Sequence, residues 1–138
     1  MPRYRFLNHT ADLRIEVSAD DLTDLFREAA ESLFDVLVGI GSIHVRESVE
    51  VTASGEGIEE LIVDWLRELL YRFSGEGMVF SRFDIIESSR TTIRARCGGE
   101  RFSPDIHEVR FDIKAVTYHG LSIRESDGRV VASLVFDV

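Results

Sequence analysis

Carboxylate groups near both ends of the chain are the residues whose chemistry stands out first. Asp12 closes the run from Asn8 to Asp12, and Asp137 precedes Val138, whose main-chain carboxylate would lie beside it at a chain end. Close carboxylates repel each other unless they share a proton or a cation. The side chains of Asp12 and Asp137 and the carboxylate of Val138 would together form an oxygen-only site suited to Ca²⁺, Mg²⁺ or Mn²⁺ and ill suited to Zn²⁺. An ordinary penultimate Asp in water is the alternative, and spacing alone does not decide between the two.

His9 and Lys114 lie in two further polar runs that could carry chemistry. His9 stands beside Thr10 near Asp12, which suits a metal ligand or a general acid–base group, although a polar turn is the more common use of such residues. Lys114 opens the run Lys-Ala-Val-Thr-Tyr-His and is the only lysine of the chain. Its ammonium group could lower the pKa of a nearby carboxylate or contact a phosphate, or it could be an ordinary surface group.

Composition limits the classes of protein to which the chain can belong. Its 138 residues predict one domain spanning 1–138, and its 25 acidic and 16 basic residues give a net charge of -9. This balance disfavours sequence-independent binding to nucleic acid, which depends on Lys and Arg. The single cysteine excludes an internal disulfide, and no stretch resembles a signal peptide or a membrane span. We therefore expect a soluble, cytoplasmic protein with no membrane contact.

Two segments have the apolar spacing of amphipathic helices. Apolar residues recur at i, i+3, i+4 and i+7 over Leu22–Leu37 and again over Ile58–Phe73. Asp20 and Asp21 precede the first segment as capping acids do, and Gly39 can end it. Each helix therefore has one broad apolar stripe that must be covered by other elements.

Most of the remaining chain alternates between polar and apolar residues with the period of a β-strand. The alternating segments are Leu13–Val17, Val45–Val51, Phe80–Ile86, Ile93–Cys97, Phe111–Ala115, Leu121–Glu125 and Arg129–Asp137. Asp127-Gly128 between the last two is typical of a hairpin turn, and a further strand is expected ahead of Asn8. This order predicts an α+β fold, with both helices on one face of a mostly antiparallel sheet.

Other candidate groups are weaker. Cys97 falls on the apolar side of its strand, which favours a buried thiol over a nucleophile. The Ser-Gly-Glu-Gly tetrads at 54–57 and 74–77 favour turns and caps, because their central Glu would repel phosphate. The only cluster of basic residues consists of Arg90, Arg94, Arg96 and Arg101. It is either a solvated strand face or a contact surface for an acidic partner or a phosphate.

The whole chain resembles the archease family in the order of its motifs. These motifs are His9–Asp12, Leu25-Phe26 with Ala29-Ala30, Trp65-Leu66-x-Glu68-Leu69-Leu70, Lys114–His119 and a terminal Phe-Asp-Val. Arg67 is a departure, because many relatives carry Asn there. It lies off the apolar stripe of the second helix, and we do not expect it to affect the site.

The resemblance implies an accessory protein that is not itself an enzyme. Archeases assist the RtcB-type RNA ligase that joins tRNA exon halves, promoting guanylylation of the ligase and its repeated turnover. The family's metal ligands correspond to Asp12, Asp137 and the carboxylate of Val138, with Ca²⁺ expected first and Mg²⁺ or Mn²⁺ as alternatives. The family's functional lysine corresponds to Lys114, and His9 is assigned beside it to activation of the partner.

Two other functions remain open at the level of the sequence. One is a general modulator or chaperone of tRNA-modifying enzymes, such as a tRNA methyltransferase. The other is a stand-alone metal-dependent phosphoesterase, against which the lack of an identifiable nucleophile, base or phosphate-binding Gly loop counts. In the favoured interpretation RNA binding is left to the partner, so little or no direct contact with nucleic acid is expected.

Overall fold

The computed structural model describes residues 12–138, which form six strands and two α-helices. In chain order they are β1 (Asp12–Ala19), α1 (Leu22–Val38), β2 (Glu47–Ser54), α2 (Ile58–Ser74), β3 (Met78–Ser88), β4 (Thr92–Arg101), β5 (Ala115–Ser126) and β6 (Arg129–Asp137). His9 and the strand predicted ahead of Asn8 lie outside the described residues. None of the helices within 12–138 is long and apolar enough to cross a membrane.

Both helices begin and end close to the predicted residues, at glycines and acidic caps. The Asp21 side chain accepts a hydrogen bond of 2.8 Å from the backbone N–H of Asp24, and Gly39 ends α1 with a φ of 79°. Gly57 and Gly75 cap the two ends of α2. The Ser-Gly-Glu-Gly tetrads are therefore turns and caps, which confirms that prediction.

The strands form two antiparallel three-stranded sheets, with the orders β1-β6-β5 and β2-β4-β3. The α+β class is confirmed, but the strands among residues 12–138 are divided between two sheets and do not form a single one. Both helices contact strands of both sheets, since α1 packs against β1 and β3 and α2 packs against β2 and β5. Their apolar stripes are wide enough to meet two surfaces at once.

The core lies where the two helices meet the sheets. Trp65 of α2 is fully buried there, and its indole N–H donates a 3.0 Å hydrogen bond to the carbonyl of Phe26 in α1. This bond satisfies the one polar atom of the largest core side chain. Cys97 is also fully buried among apolar residues, as its place in the strand pattern predicts.

The segment between β4 and β5 differs from the prediction. The alternating run Phe111–Ala115 is not a strand, because the chain is irregular over residues 102–114 and β5 begins only at Ala115. Two hydrogen bonds outside any strand ladder hold the segment, since the N–H of Arg110 donates to the carbonyl of Leu37 in α1 and the N–H of Ile113 donates to that of Phe111. We call residues 102–114 the connecting segment, because it joins the two sheets.

Candidate functional site

Strand pairing brings Asp12 and Asp137 together although 124 residues separate them. The two residues are direct partners in the β1–β6 ladder, at the first position of β1 and the last of β6. Directly opposed residues project from the same face of a sheet, with Cβ atoms about 5 Å apart. Like charges in that arrangement repel each other, so the pair favours a bound cation.

Val138 and Lys114 adjoin this carboxylate pair. The Val138 side chain is partly buried against the core, so the residue after Asp137 is held in place. On the other side of β6, Ala115 pairs with Asp137, and the backbone N–H of Lys114 donates a 2.7 Å hydrogen bond to the Asp137 carbonyl. Asp12, Asp137 and Lys114 thus meet at one end of the β1-β6-β5 sheet, while His9 lies outside the described residues.

The donor set at this end suits a hard cation. Asp12 and Lys114 are exposed and Asp137 is half-buried, and no ion pair within residues 12–138 involves any of the three. The described residues contain no group of three His, Cys, Asp or Glu side chains arranged for a metal. Carboxylate oxygens such as those of Asp12 and Asp137 are ligands that Ca²⁺, Mg²⁺ or Mn²⁺ take, with water completing the shell.

A buried polar network holds the connecting segment that ends at Lys114. The side chain of Glu100 is almost wholly buried and accepts three hydrogen bonds: 2.9 Å from the N–H of His44, 2.8 Å from Nε2 of His107 and 2.9 Å from Nε of Arg46. Nδ1 of His107 accepts a 2.9 Å bond from the N–H of Ser103, which assigns the ring proton to Nε2. The network therefore joins three separate stretches of chain.

The charge of Glu100 is stabilised by these donors. The N–H of His44 lowers the pKa of Glu100 most, and His107 and Arg46 lower it further against the opposing effect of burial, so that it falls to about 2. The sequence patterns did not predict this network. No spacing signal marks Glu100 and His107 as partners, because their contact depends on the path of an irregular segment.

A wide bulge in β5 lies next to the carboxylate pair. Thr117 pairs with Val135 and Ser122 pairs with Ser133, so residues 118–121 oppose the single residue Leu134. The bulge folds over the outer side of β6 and buries Val135 there, apart from the main core. Bulges of this kind redirect side chains and are common next to functional sites.

Two arginines hold this bulge from different elements. Nη1 of Arg14 in β1 donates 3.1 Å and 3.3 Å hydrogen bonds to the carbonyl of Gly120 and the hydroxyl of Ser133. Nε of Arg67 in α2 donates a 3.0 Å bond to the carbonyl of Val116, and its guanidinium carbon lies 5.1 Å from the centroid of the Tyr118 ring. Arg67 is exposed and off the apolar stripe, as predicted, but it contacts the strand that leads from Lys114.

The other predicted candidates have structural roles. Burial raises the pKa of the Cys97 thiol to about 12, which removes it as a nucleophile. Three members of the basic cluster are engaged within the fold: Arg90 pairs with Glu125, Arg94 with Glu50 and Glu87, and Arg101 donates to the carbonyl of Glu76. Two of the four cluster arginines, Arg90 and Arg94, are therefore paired with carboxylates of the fold.

Comparison with known proteins identifies the class of fold and then the family. Residues 4–138 match the model of the archease protein family (MTH1598/TM1083). The crystal structure of an archease from Thermotoga maritima, named a possible chaperone, has a TM-score of 0.71 at 22% identity and covers 100% of this chain and 99% of that one. The solution structure of a Methanobacterium thermoautotrophicum protein has a TM-score of 0.70 at 28% identity and covers 96% of both chains. The architecture is thus that of a small α+β domain of the archease type.

Sequence relatives carry the same assignment over the full length. The archease of Methanopyrus kandleri is 38% identical over 135 residues, covering 96% of both chains. The archease of Pyrococcus furiosus is 37% identical over 142 residues, covering 100% of both. The chain belongs to the archease family.

Proposed function

We propose that this protein is an accessory factor that activates an RtcB-type RNA ligase in cytoplasmic tRNA splicing and has no enzymatic activity of its own. Membership of the archease family supports an accessory role. The single observation that carries the proposal is the direct pairing of Asp12 with Asp137 beside Lys114. Two carboxylates opposed on neighbouring strands repel each other, and neither has an ion-pair partner among residues 12–138, so a bound cation would offset this repulsion.

Asp12, Asp137 and the main-chain carboxylate of Val138 would hold a divalent cation, with Ca²⁺ expected first and Mg²⁺ or Mn²⁺ as alternatives. When bound, such a cation offsets the repulsion of the carboxylates and leaves positions open to anionic oxygens of the partner's site. Lys114 adds a fixed positive charge at the same end, and its backbone bond to Asp137 ties it to the carboxylate pair. The ligase performs the chemistry, and this chain supplies charge and position.

Titration calorimetry with Ca²⁺ tests the metal site by itself. We expect Asp137→Asn and Asp12→Asn each to weaken Ca²⁺ binding about tenfold or more, because each removes a charged ligand. Glu16→Gln is the matched control, since Glu16 is also an exposed acid of β1, four pairs further along the same ladder. Equal affinities for all four proteins would exclude this site.

Guanylylation of the ligase tests activation. Lys114→Ala and a chain extended beyond Val138 should both lose stimulation, whereas Arg124→Ala, a cation substitution further along β5, should keep it. If both altered proteins stimulate as well as the parent, Lys114 and the chain end have no part in activation.

A further inference from the structure

The β5 bulge presents two guanidinium groups that the fold does not neutralise. Arg14 and Arg67 contact the chain at Gly120 and Tyr118, two residues apart, from β1 and from α2. Within residues 12–138 neither forms a salt bridge, whereas seven other arginines do. Four more arginines among residues 12–138 also lack a salt bridge, but Arg14 and Arg67 are the two of these six whose described contacts lie on the bulge. We call Arg14, Arg67, Tyr118 and Gly120 the bulge surface.

The hydrogen bonds of the bulge surface leave binding capacity on both arginines. Arg67 uses only Nε on the Val116 carbonyl, and Arg14 uses only Nη1 on Gly120 and Ser133. A guanidinium group has five N–H donors in a planar fork that matches a carboxylate. The backbone around the bulge therefore orients each arginine, and the described contacts leave the other N–H donors of both guanidinium groups unused.

Tyr118 adds an aromatic contact to these charges. Its side chain is 46% exposed although Arg67 lies against its ring. Arg and Tyr are the residue types enriched among those that contribute most to protein–protein affinity. The net charge of the chain opposes a nucleic-acid backbone, whose binding needs many cations at once.

We propose that the bulge surface docks an acidic segment of the partner ligase, with carboxylates received by Arg14 and Arg67 and an apolar side chain resting on Tyr118. The proposal rests on the proposed function, because it gives that partner a contact next to the Asp12–Asp137 pair. The surface continues from the pair along the same sheet, since Ala115 pairs with Asp137 and the bulge begins three residues later. Affinity for the ligase would then come from the bulge surface, whereas the Asp12–Asp137 pair would act on the bound ligase.

The test measures ligase affinity and ligase guanylylation on the same set of proteins. The double variant Arg14→Gln/Arg67→Gln removes both charges while keeping a side-chain donor at each position. Arg124→Gln, on the strand β5 that carries the bulge, is the matched control, and thermal unfolding followed by circular dichroism checks that all three proteins are equally folded. We expect the double variant to bind the ligase about tenfold or more weakly than the parent, and the control to bind within about twofold. Parent binding should also weaken as salt rises from about 0.05 M to about 0.5 M.

Each other outcome overturns the inference. If the parent binds and stimulates the ligase and the double variant binds equally well, the bulge surface is not the docking site, while the proposed function stands. If the parent neither binds nor stimulates the ligase, the proposed function fails and the inference with it. If the double variant loses affinity for a single-stranded RNA oligonucleotide but not for the ligase, the surface serves nucleic acid and not an acidic protein segment.

Discussion

Replacement of Glu100 by Gln tests whether the buried network stabilises the fold as its geometry predicts. The carboxylate receives donors from His44, His107 and Arg46, and the amide group of Gln turns one of its two acceptor positions into a donor. His107 cannot relieve the conflict by moving its proton, because Nδ1 already accepts from Ser103. With the amide oxygen in place of Oε2, which accepts from His44 and His107, the NH₂ group would take the place of Oε1 and face the Nε–H donor of Arg46.

The size of the effect follows from two estimates. The lowering of the Glu100 pKa from 4.5 to about 2 corresponds to an upper bound of about 3 kcal/mol. Breaking a buried charged network costs about 3–5 kcal/mol, but the side chains of Arg46 and His44 are two-thirds exposed, which reduces this figure. We expect Glu100→Gln to lower the free energy of unfolding by about 2 kcal/mol at neutral pH.

The stabilisation by Glu100 should depend on pH, and its direction follows from the pKa of Glu100 in the folded and unfolded states. The folded protein holds Glu100 at a lower pKa than the unfolded chain does, so the unfolded chain binds the proton first as pH falls. The stabilisation is complete above pH 4.5 and is lost as pH falls towards about 2. The difference in the free energy of unfolding between parent and variant, measured by urea denaturation, should therefore shrink as pH falls from 4.5 towards about 2.

Glu125→Gln is the matched control for this experiment. Arg90 also lowers the pKa of Glu125, by a two-point hydrogen bond, but the pair is exposed and we expect no measurable loss of stability. A loss below about 0.5 kcal/mol for Glu100→Gln, or a difference that stays constant down to low pH, would refute the reasoning.

Three further predictions concern single positions. Gly99→Ala should destabilise the protein by more than about 2 kcal/mol, because a Cβ there would lie 1.9 Å from the carbonyl oxygen of Val79. A Cβ at Gly98 would meet only side-chain atoms, so Gly98→Ala should cost clearly less in the same urea titration. Cys97 should resist a thiol reagent at pH 8 in the native protein and react at once in urea; fast native reaction would contradict its burial. Asp21→Ala should cost about 1 kcal/mol by thermal unfolding through loss of the α1 cap, and an unchanged melting temperature would show that the cap contributes nothing.

Local patterns in the sequence predicted the parts of the fold that depend on local structure. The two helices agree with the apolar spacing, and the Asp127-Gly128 hairpin forms with positive φ at both residues. Cys97 is buried, as its position in an alternating strand predicts. The division into two sheets was not predicted, because the choice of strand partners depends on contacts between distant segments.

The candidate site depended on information beyond local patterns. Chemistry suggested an oxygen-rich cation site, and the family resemblance assigned Asp12 and Asp137, but only the β1–β6 register shows that they are direct partners. The Arg67 contact with β5 was not expected from its position off the apolar stripe. An irregular segment and a bulge create these contacts, and neither has a periodic signal in the sequence.

The role of the Asp12–Asp137 pair in activation can be measured as the initial rate of ligase guanylylation, with the parent protein and with Asp12→Asn/Asp137→Asn, at saturating nucleotide and divalent metal. Glu16→Gln provides the matched loss of an acid elsewhere on β1. We expect the double variant to remain folded and to lose stimulation by about tenfold or more, while Glu16→Gln stimulates as the parent does. Full stimulation by the folded double variant would contradict the claim that the Asp12–Asp137 pair is the working site of this archease.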